Sequence, residues 1–290
     1  VSIGLQDLDP AVQRAVNRLQ SLEETRAVID AARTLQFRSI NIDLIYGLPK
    51  QTPENFARTV EEVISLQPDR LSVFNYAHLP ERFMPQRRIN AEDLPGAAAK
   101  LAMLQASIEQ LAKAGYRYIG MDHFALPDDE LALARANGTL QRNFQGYSTF
   151  AECDLIGLGV SAIGKVGDTY SQSVKELSQY YARLDQGLLP VHRGYRLNAD
   201  DQLRRDVISD LMCHGRIDFA SIEARHHIRF KEYFAEALSK LDEHVADRLL
   251  EIRDDALVLL PQGHLMMRSV AMAFDAYIGG AQKGSFSRTV

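Results

Sequence analysis

Residues 41–52 read NIDLIYGLPKQT, and this stretch decides the fold. Apolar and β-branched residues surround Asp43, which predicts a buried strand, and Gly47 and Pro49 then predict a turn before the next helix. A carboxylate in such a strand needs a polar partner, because an unpaired buried charge is costly. In barrels of parallel strands, residues near the carboxyl ends of the strands face the active site. Asp43 is therefore a candidate site residue.

Strands and helices alternate from residue 1 to about residue 164, which is typical of a parallel sheet with right-handed crossovers. Strands are expected at residues 2–5, 39–46, 70–76, 116–121 and 155–163, and helices at residues 10–35, 51–66, 94–114, 128–137 and 175–186. The expected fold class is α/β, with a partial (β/α) barrel over residues 1–190. Residues 187–196 contain Gly and Pro and are expected to form a linker.

The pattern changes after residue 198, where short amphipathic helices predominate. Helices are expected at residues 200–213, 219–226, 230–249 and 263–277, with a hairpin over residues 250–260. This order predicts a mainly helical, winged-helix-like C-terminal domain over residues 191–290. A DNA-binding role is an alternative, but the acidic balance and the lack of a basic recognition helix argue against it.

The composition is that of an ordinary globular protein, with 46% hydrophobic residues, 24% charged residues and a net charge of −5. That charge gives no overall attraction for nucleic acid or an anionic membrane, and no apolar run reaches the roughly 18 residues of a membrane span. Cys153 and Cys213 are the only cysteines. We therefore expect no disulfide framework, no metal site within this chain and a cytoplasmic location.

Polar and aromatic groups follow several of the expected strands. The amide of Gln6 could hydrogen-bond a ligand or cap the next turn. Arg18 is either a solvated helix charge or a fork for a carboxylate. Residues 74–80, FNYAHLP, bring aromatic, amide and imidazole groups to one strand end, where the small Ala77 would let a flat ring approach the backbone.

Two later segments add further candidates. His123 follows Asp122, and the two are either an acid/base pair or a structural polar contact at a turn. Arg142 begins the segment RNFQGY and could pair with a substrate carboxylate through two parallel hydrogen bonds. The glycine-rich residues 157–164 do not form a dinucleotide fingerprint, so close approach of the backbone to a ligand is their remaining physical use.

Six of these segments, taken in order, resemble the oxygen-independent coproporphyrinogen III oxidases of the radical S-adenosylmethionine superfamily. They are residues 4–7, 41–52, 70–80, 121–127, 142–147 and 157–163, and the likeness continues through the C-terminal domain to residues 286–288. The heme-chaperone branch of this superfamily is expected to lack the segments NYAHLP and RNFQGY, so their presence favours the oxidase.

The resemblance implies the oxidative decarboxylation of two propionates of coproporphyrinogen III to vinyl groups, which gives protoporphyrinogen IX in heme biosynthesis. In that family a reduced 4Fe–4S cluster cleaves S-adenosylmethionine, and the resulting radical abstracts a propionate β-hydrogen. Carbon dioxide then leaves and an acceptor takes the last electron. The implied partners are therefore coproporphyrinogen III, an electron donor and an electron acceptor, and a monomer is expected.

The resemblance also implies ligand contacts. One S-adenosylmethionine would be contacted by Gln6, Arg18, Asp43 and Ala77, and a second by Phe144, Gln145 and Ile163. In this picture Arg18 pairs with the methionine carboxylate, and Asp43 anchors the ribose or the ammonium group. Arg142 and His123 are candidates for the tetrapyrrole pocket on chemical grounds alone.

The chain departs from the family pattern because it has neither the Cys-x3-Cys-x2-Cys cluster loop nor the Gly-Gly-Thr segment that supports the methionine group. The resemblance then implies a C-terminal portion that begins at the fourth barrel strand. Such a chain is expected to bind no cluster and to lack oxidase activity by itself, and its first strand would be an open sheet edge. The alternative is a heme-chaperone-like or cluster-less protein that binds a tetrapyrrole or S-adenosylmethionine.

Overall fold

The computed structural model describes residues 1–150 and 153–278. It divides into two units, one over Val1–Asn137 and one that begins at Gly138. The division predicted from the change of sequence pattern, residues 1–190 and 191–290, remains a prediction. The predicted likeness at residues 286–288 lies outside the described residues.

One five-stranded sheet organises the first unit, with the strand order β1-β2-β3-β5-β4. The strands are β1 (Ser2–Gln6), β2 (Asn41–Tyr46), β3 (Arg70–Asn75), β4 (Arg117–Gly120) and β5 (His123–Ala125). β1, β2 and β3 are parallel as predicted, but β5 runs antiparallel to both β3 and β4. Only Met121 and Asp122 separate β4 from β5, and so short a turn can join antiparallel strands only.

The helices of the first unit follow the predicted order. They are α1 (Pro10–Ala15), α2 (Leu22–Thr34), α3 (Pro53–Ser65), α4 (Ala97–Lys113) and α5 (Glu130–Ala136), with 3₁₀ turns at Met84–Arg88 and Ala91–Asp93. The single helix predicted over residues 10–35 is wrong. Asn17 adopts a left-handed conformation with φ 53, which ends the helical path after α1. Ser21 and Glu24 then form a reciprocal capping box that starts α2.

Alternation along β2 separates two faces of the sheet. Ile42, Leu44 and Tyr46 are buried, whereas the side chains that alternate with them are half-buried. The buried face joins the core of the first unit, whose large members on the other elements include Leu5, Ile29, Phe56, Val60, Val63, Leu71, Val73, Met103 and Leu111. Apolar residues covered by helices thus hold one face of the sheet, and the opposite face of β2 carries Asn41 and Asp43 together with Ile45.

The second unit contains a hairpin and two small antiparallel sheets. Its strands are β6 (Gln141–Asn143), β7 (Gly146–Ser148), β8 (Ile163–Val166), β9 (Thr169–Ser173), β10 (Val191–Arg196), β11 (Arg216–Asp218), β12 (Leu250–Ile252) and β13 (Ala256–Leu259). β6 pairs with β7, and the two sheets have the orders β10-β9-β8 and β11-β13-β12. The predicted hairpin at residues 250–260 is confirmed.

Helices make up most of the rest of the second unit. They are α6 (Leu177–Asp185), α7 (Ala199–His214), α8 (Phe219–His226), α9 (Phe230–Tyr233), α10 (Ala235–Ser239), α11 (Asp242–Ala246) and α12 (Met267–Met272), with a 3₁₀ turn at Pro261–His264. The single helices predicted over residues 230–249 and 263–277 are wrong, because each region is divided into shorter turns. Phe219, Phe230, Phe234 and Phe274 pack together at the centre of these helices.

Two other predictions in this unit are wrong. Residues 155–163 do not form a strand: Leu155 makes only an isolated bridge to Lys165, and β8 begins at Ile163. Gly159 and Ser161 have φ values of 98 and 57, which interrupt an extended path. The predicted linker over residues 187–196 ends in strand β10, which pairs with β9.

Candidate functional site

A row of residues in register crosses four strands of the five-stranded sheet. Gly4 pairs with Asp43, Asp43 pairs with Ser72, and Ser72 pairs with His123. Residues directly opposite one another on neighbouring strands place their side chains on the same face. This set, which we call the polar row, lies on the face opposite the buried residues of β2.

The polar partners predicted for Asp43 are on its own and the neighbouring strand. Ser2 Oγ donates to Asp43 Oδ2 at 3.1 Å, and Asn41 Nδ2 donates to Asp43 Oδ1 at 2.7 Å. Asn41 Nδ2 also donates to Ser2 Oγ at 2.9 Å, and Ser72 Oγ donates to Asn41 Oδ1 at 3.3 Å. These bonds fix the carboxylate while its other lone pairs remain able to accept a ligand hydroxyl or ammonium group.

Gln6 and Arg18 both lie against Gly4 at the end of the polar row. A Cβ on Gly4 would stand 2.7 Å from Gln6 Nε2 and 3.3 Å from Arg18 Nη2, so the missing side chain makes room for both. Arg18 Nη2 donates to the Gly4 carbonyl at 2.6 Å. Arg18 follows the end of α1 rather than lying within a long helix, and it is exposed. The structure therefore brings three predicted residues, Gln6, Arg18 and Asp43, to one end of the sheet.

The buried carboxylate of Asp7 is a part of this region that the sequence did not reveal. It accepts hydrogen bonds from the Asp9 amide at 2.6 Å, Gln51 Nε2 at 2.5 Å and Thr59 Oγ1 at 2.9 Å. Burial raises the pKa of Asp7, and these three bonds oppose that rise. Gln51 also donates to the carbonyl of Ile45 on β2. Through these bonds Asp7 connects the end of β1, directly after Gln6, to β2 and α3.

Ala77 lies just beyond the carboxyl end of β3. The amide of Tyr76 donates to the Tyr46 carbonyl at 2.8 Å, which continues the pairing of β2 and β3 for one more residue. Gln86 Nε2 donates to the Ala77 carbonyl at 3.0 Å, and Tyr76 Oη lies 3.3 Å from His78 Nδ1. Side chains at this edge occupy the position where parallel α/β sheets bind ligands.

The structure gives His123 and Asp122 different surroundings. His123 joins the polar row on β5, and its ring meets that of Phe74 edge-on, with 5.7 Å between the ring centroids. The Asp122 carbonyl accepts a hydrogen bond from the amide of Val73 at 2.7 Å. His123 is therefore presented on the same face as Asp43, at the other end of the row.

The candidates of the second unit are carried by the β6–β7 hairpin. Arg142 is exposed, and its guanidinium lies 5.9 Å from the centre of the Tyr147 ring. Phe144 is 57% exposed and meets Tyr170 edge-on at 5.2 Å. Gln145 is exposed beside it in the turn between the two strands. The hairpin therefore presents a cation, an aromatic face and an amide to solvent.

Ile163, the remaining predicted ligand contact, is the first residue of β8 and pairs with Gln172. A Cβ on Gly157 would stand 2.7 Å from the Ile163 carbonyl oxygen. A Cβ on Gly164 would similarly stand 2.9 Å from the Leu155 carbonyl oxygen. These glycines permit a close approach between two segments of this chain, and the predicted approach to a ligand remains a prediction.

Cys153 is exposed and Cys213 is buried, and both are free thiols. Burial raises the pKa of Cys213 to about 11, which leaves it protonated and poorly suited to bind iron. Within residues 1–150 and 153–278, no group of three or more His, Cys, Asp or Glu side chains could hold a metal ion. A 4Fe–4S cluster therefore does not fit the side chains that the structure describes. The same ranges contain no helix that could cross a membrane.

Comparisons with known proteins show which proteins this chain is similar to. The model of the HemN C-terminal domain matches residues 197–266. An oxygen-independent coproporphyrinogen III oxidase of Pseudomonas aeruginosa is 59% identical to this chain. The match covers the whole of this chain and 63% of the length of the Pseudomonas protein. The enzyme of that name from Thermostichus vulcanus is 43% identical, and the match covers 90% of its length.

A solved structure is also similar to this chain. It is described as coproporphyrinogen III oxidase (HemN) from Escherichia coli, a radical SAM enzyme, and it matches with a TM-score of 0.93 at 50% identity. The match covers 95% of this chain and 64% of that one. This likeness, which covers the α/β sheet and the helical region after it, places the chain in the radical S-adenosylmethionine class.

Within that class, the chain belongs to the oxygen-independent coproporphyrinogen III oxidase family. The predicted family is thus confirmed, and so is the predicted α/β fold class with a mainly helical region after the sheet. The chain spans 63% of the length of the Pseudomonas relative and 64% of the length of the Escherichia coli structure.

Proposed function

We propose that this chain forms part of an enzyme that oxidatively decarboxylates two propionates of coproporphyrinogen III to vinyl groups, giving protoporphyrinogen IX. The polar row, with Gln6 and Arg18 at its end, is the observation that carries the proposal, because it offers ligand-binding groups on one face of a sheet of this family. The relatives reported above carry the oxidase name, which favours the enzyme over a heme-chaperone-like binding protein.

S-adenosylmethionine fits the residues at this end of the sheet. Arg18 uses one nitrogen on the Gly4 carbonyl, and its other guanidinium donors can pair with the methionine carboxylate. Asp43 would accept hydrogen bonds from the ribose or the ammonium group, while Gln6 and Ala77 would flank the ligand. When bound, S-adenosylmethionine supplies the radical chemistry that removes hydrogen from a propionate side chain.

A second S-adenosylmethionine is proposed for Phe144, Gln145 and Ile163. The exposed ring of Phe144 offers a stacking face for an adenine base, and the Gln145 amide can both donate and accept hydrogen bonds. The aromatic ring and the amide are groups that could bind S-adenosylmethionine, and the hairpin carries them on adjacent residues.

Arg142 and His123 are proposed to recognise the tetrapyrrole. The Arg142 guanidinium is exposed and lies near an aromatic ring, so its planar fork remains available for a propionate carboxylate. His123 is half-buried at the end of the polar row, where an imidazole can donate or accept a hydrogen bond.

We further propose that any cluster ligands lie outside these 290 residues, since the chain has only two cysteines. The enzyme would then work as a cytoplasmic monomer with a separate electron donor and acceptor. Anaerobic reconstitution with iron and sulfide should leave this polypeptide without a cluster and without oxidase activity. Stoichiometric binding of four iron atoms by the chain would contradict this part of the proposal.

Calorimetric titration of the chain with S-adenosylmethionine tests the proposed site. We expect Asp43→Ala to weaken binding about tenfold or more, because it removes a charged hydrogen-bond acceptor. Asp30→Ala is the matched control, because Asp30 is an exposed carboxylate on α2, outside the polar row, and its loss should leave the affinity unchanged. Absence of binding by the unaltered chain, or equal affinities of the two variants, would count against the proposed function.

A further inference from the structure

Lys100, near the start of α4, reaches the carboxyl ends of β2 and β3. Its Nζ donates to the Tyr76 carbonyl at 3.3 Å, and the Tyr76 amide donates to the last residue of β2, Tyr46. The side chain passes over Gly47, where a Cβ would stand 2.7 Å from Lys100 Cε. Gly47 also has φ 86, a backbone conformation that favours glycine, and the absence of a side chain there leaves room for Lys100.

The ammonium group of Lys100 has no acidic partner among the residues that the structure describes. Burial lowers the pKa of Lys100, because a half-buried cation loses part of its hydration. Arg70, on β3, offers a contrast. That half-buried cation is paired with both Asp129 and Glu130, at 2.8 and 2.7 Å. Lys100 is therefore held in partly dehydrated surroundings without the negative charge that stabilises Arg70.

The hydrogen bond from Lys100 to the Tyr76 carbonyl does not explain why a charged group is held at this position. A hydrogen bond of 3.3 Å is long for a nitrogen donor, and it uses one of three N–H groups. The remaining N–H groups of Lys100 lie at the carboxyl end of β3, beside Ala77. Ala77 is proposed to contact S-adenosylmethionine. An anion bound there would supply the missing countercharge and would offset the cost of holding the cation.

We propose that Lys100 is a carboxylate-binding residue at this edge of the sheet. The inference rests on the proposed function, which supplies two sources of a carboxylate: a propionate of the tetrapyrrole and the methionine group of S-adenosylmethionine. The propionate is the favoured source, because Arg18 is already proposed for the methionine carboxylate. The role is one of binding and orientation, since an ammonium group offers a compact charge and several donors.

The test uses two stable probes: coproporphyrin III, titrated by porphyrin fluorescence, and S-adenosylhomocysteine, titrated by calorimetry. Lys100→Met keeps the apolar length of the side chain and removes its charge. Lys113→Met is the matched control, because it removes an exposed charge at the far end of the same helix. We expect Lys100→Met to raise the Kd of coproporphyrin III about tenfold or more, and Lys113→Met to leave it unchanged.

Each result has a defined meaning. A loss confined to coproporphyrin III supports the propionate as the partner, and a loss confined to S-adenosylhomocysteine supports the methionine carboxylate. If Lys100→Met binds both probes as tightly as the unaltered chain, the inference is wrong while the proposed function stands. If the unaltered chain binds neither probe, the inference and the proposed function are both contradicted.

A measurement on the unaltered chain covers the case in which Lys100→Met fails to fold. Amine acetylation is quantified at Lys100 and Lys113 by mass spectrometry, with and without saturating probe. We expect a bound carboxylate to protect Lys100 severalfold and to leave Lys113 unprotected, since an ammonium in an ion pair is a poor nucleophile. Equal labelling of Lys100 with and without both probes would overturn the inference.

Discussion

The two groups of proposed S-adenosylmethionine contacts differ in how firmly the chain holds them. In the first unit, Asp43 lies on a central strand and accepts hydrogen bonds from Ser2 and Asn41. In the second unit, Phe144 and Gln145 occupy the exposed turn of a short hairpin. The polar row is thus organised before a ligand arrives, whereas the hairpin side chains must lose conformational freedom on binding.

The proposed contacts thus comprise a rigid group in the first unit and an adaptable group in the second. A residue fixed by strand pairing and by buried polar bonds is sensitive to distant substitutions in that framework. A residue in an exposed turn depends chiefly on its own backbone geometry. Substitutions in the two frameworks should therefore have unequal effects on stability and binding.

The largest effect is expected from Asp7→Ala in the first unit. It leaves the buried donors of Gln51 and Thr59 and the Asp9 amide without their acceptor, which should lower the free energy of unfolding by about 3 kcal/mol. Urea unfolding at neutral pH measures the change.

Asp128→Ala is the control for the Asp7 variant, because Asp128 is exposed and its loss should cost less than about 0.5 kcal/mol. The Asp7 variant should also bind S-adenosylmethionine more weakly, since the end of β1 is released. Equal unfolding free energies of the Asp7 and Asp128 variants would show that the buried carboxylate does not organise this region.

A smaller effect is expected from Gly157→Ala in the second unit. The new Cβ would stand 2.7 Å from the backbone oxygen of Ile163, so the backbone must shift, at a cost of about 2 kcal/mol. Thermal unfolding followed by circular dichroism reports the loss. Gly96→Ala is the control, because nothing lies within 4 Å of a Cβ at that position. If both variants melt at the same temperature, the close approach at Ile163 is not a constraint.

The contrast between the units also explains what the sequence could predict. The apolar and β-branched residues around Asp43 predicted β2, because a strand that contributes Ile42, Leu44 and Tyr46 to the core carries this signal locally. The same reasoning predicted that Asp43 would find polar partners. The strand predicted over residues 155–163 is wrong because these residues are apolar without being buried. Ile156 is 76% exposed and Leu158 is 85% exposed.

The role of Asp7 could not be predicted from local pattern. Its partners Gln51 and Thr59 lie 44 and 52 residues further along the chain, and neither spacing belongs to a helix or strand period. The polar row likewise depends on strand register, which is set by the packing of the whole sheet. Sequence reasoning thus identified the chemical groups, whereas tertiary structure determined which of them meet.

The smallest expected effects compare two asparagines, one in each framework. Asn41→Ala removes a bridge between Ser2, Asp43 and Ser72 and should cost about 1 kcal/mol. Asn143→Ala removes a single exposed hydrogen bond to the Gln145 amide and should cost less than about 0.5 kcal/mol.

Urea unfolding of the two asparagine variants, side by side with the unaltered chain, measures the difference. Calorimetric titration with S-adenosylmethionine adds a second reading, in which Asn41→Ala should weaken binding because Asp43 loses its orientation. A greater loss of stability in Asn143→Ala would reverse the comparison: the hairpin would then be the rigid element, because its turn would be held more firmly than the strands that carry the polar row.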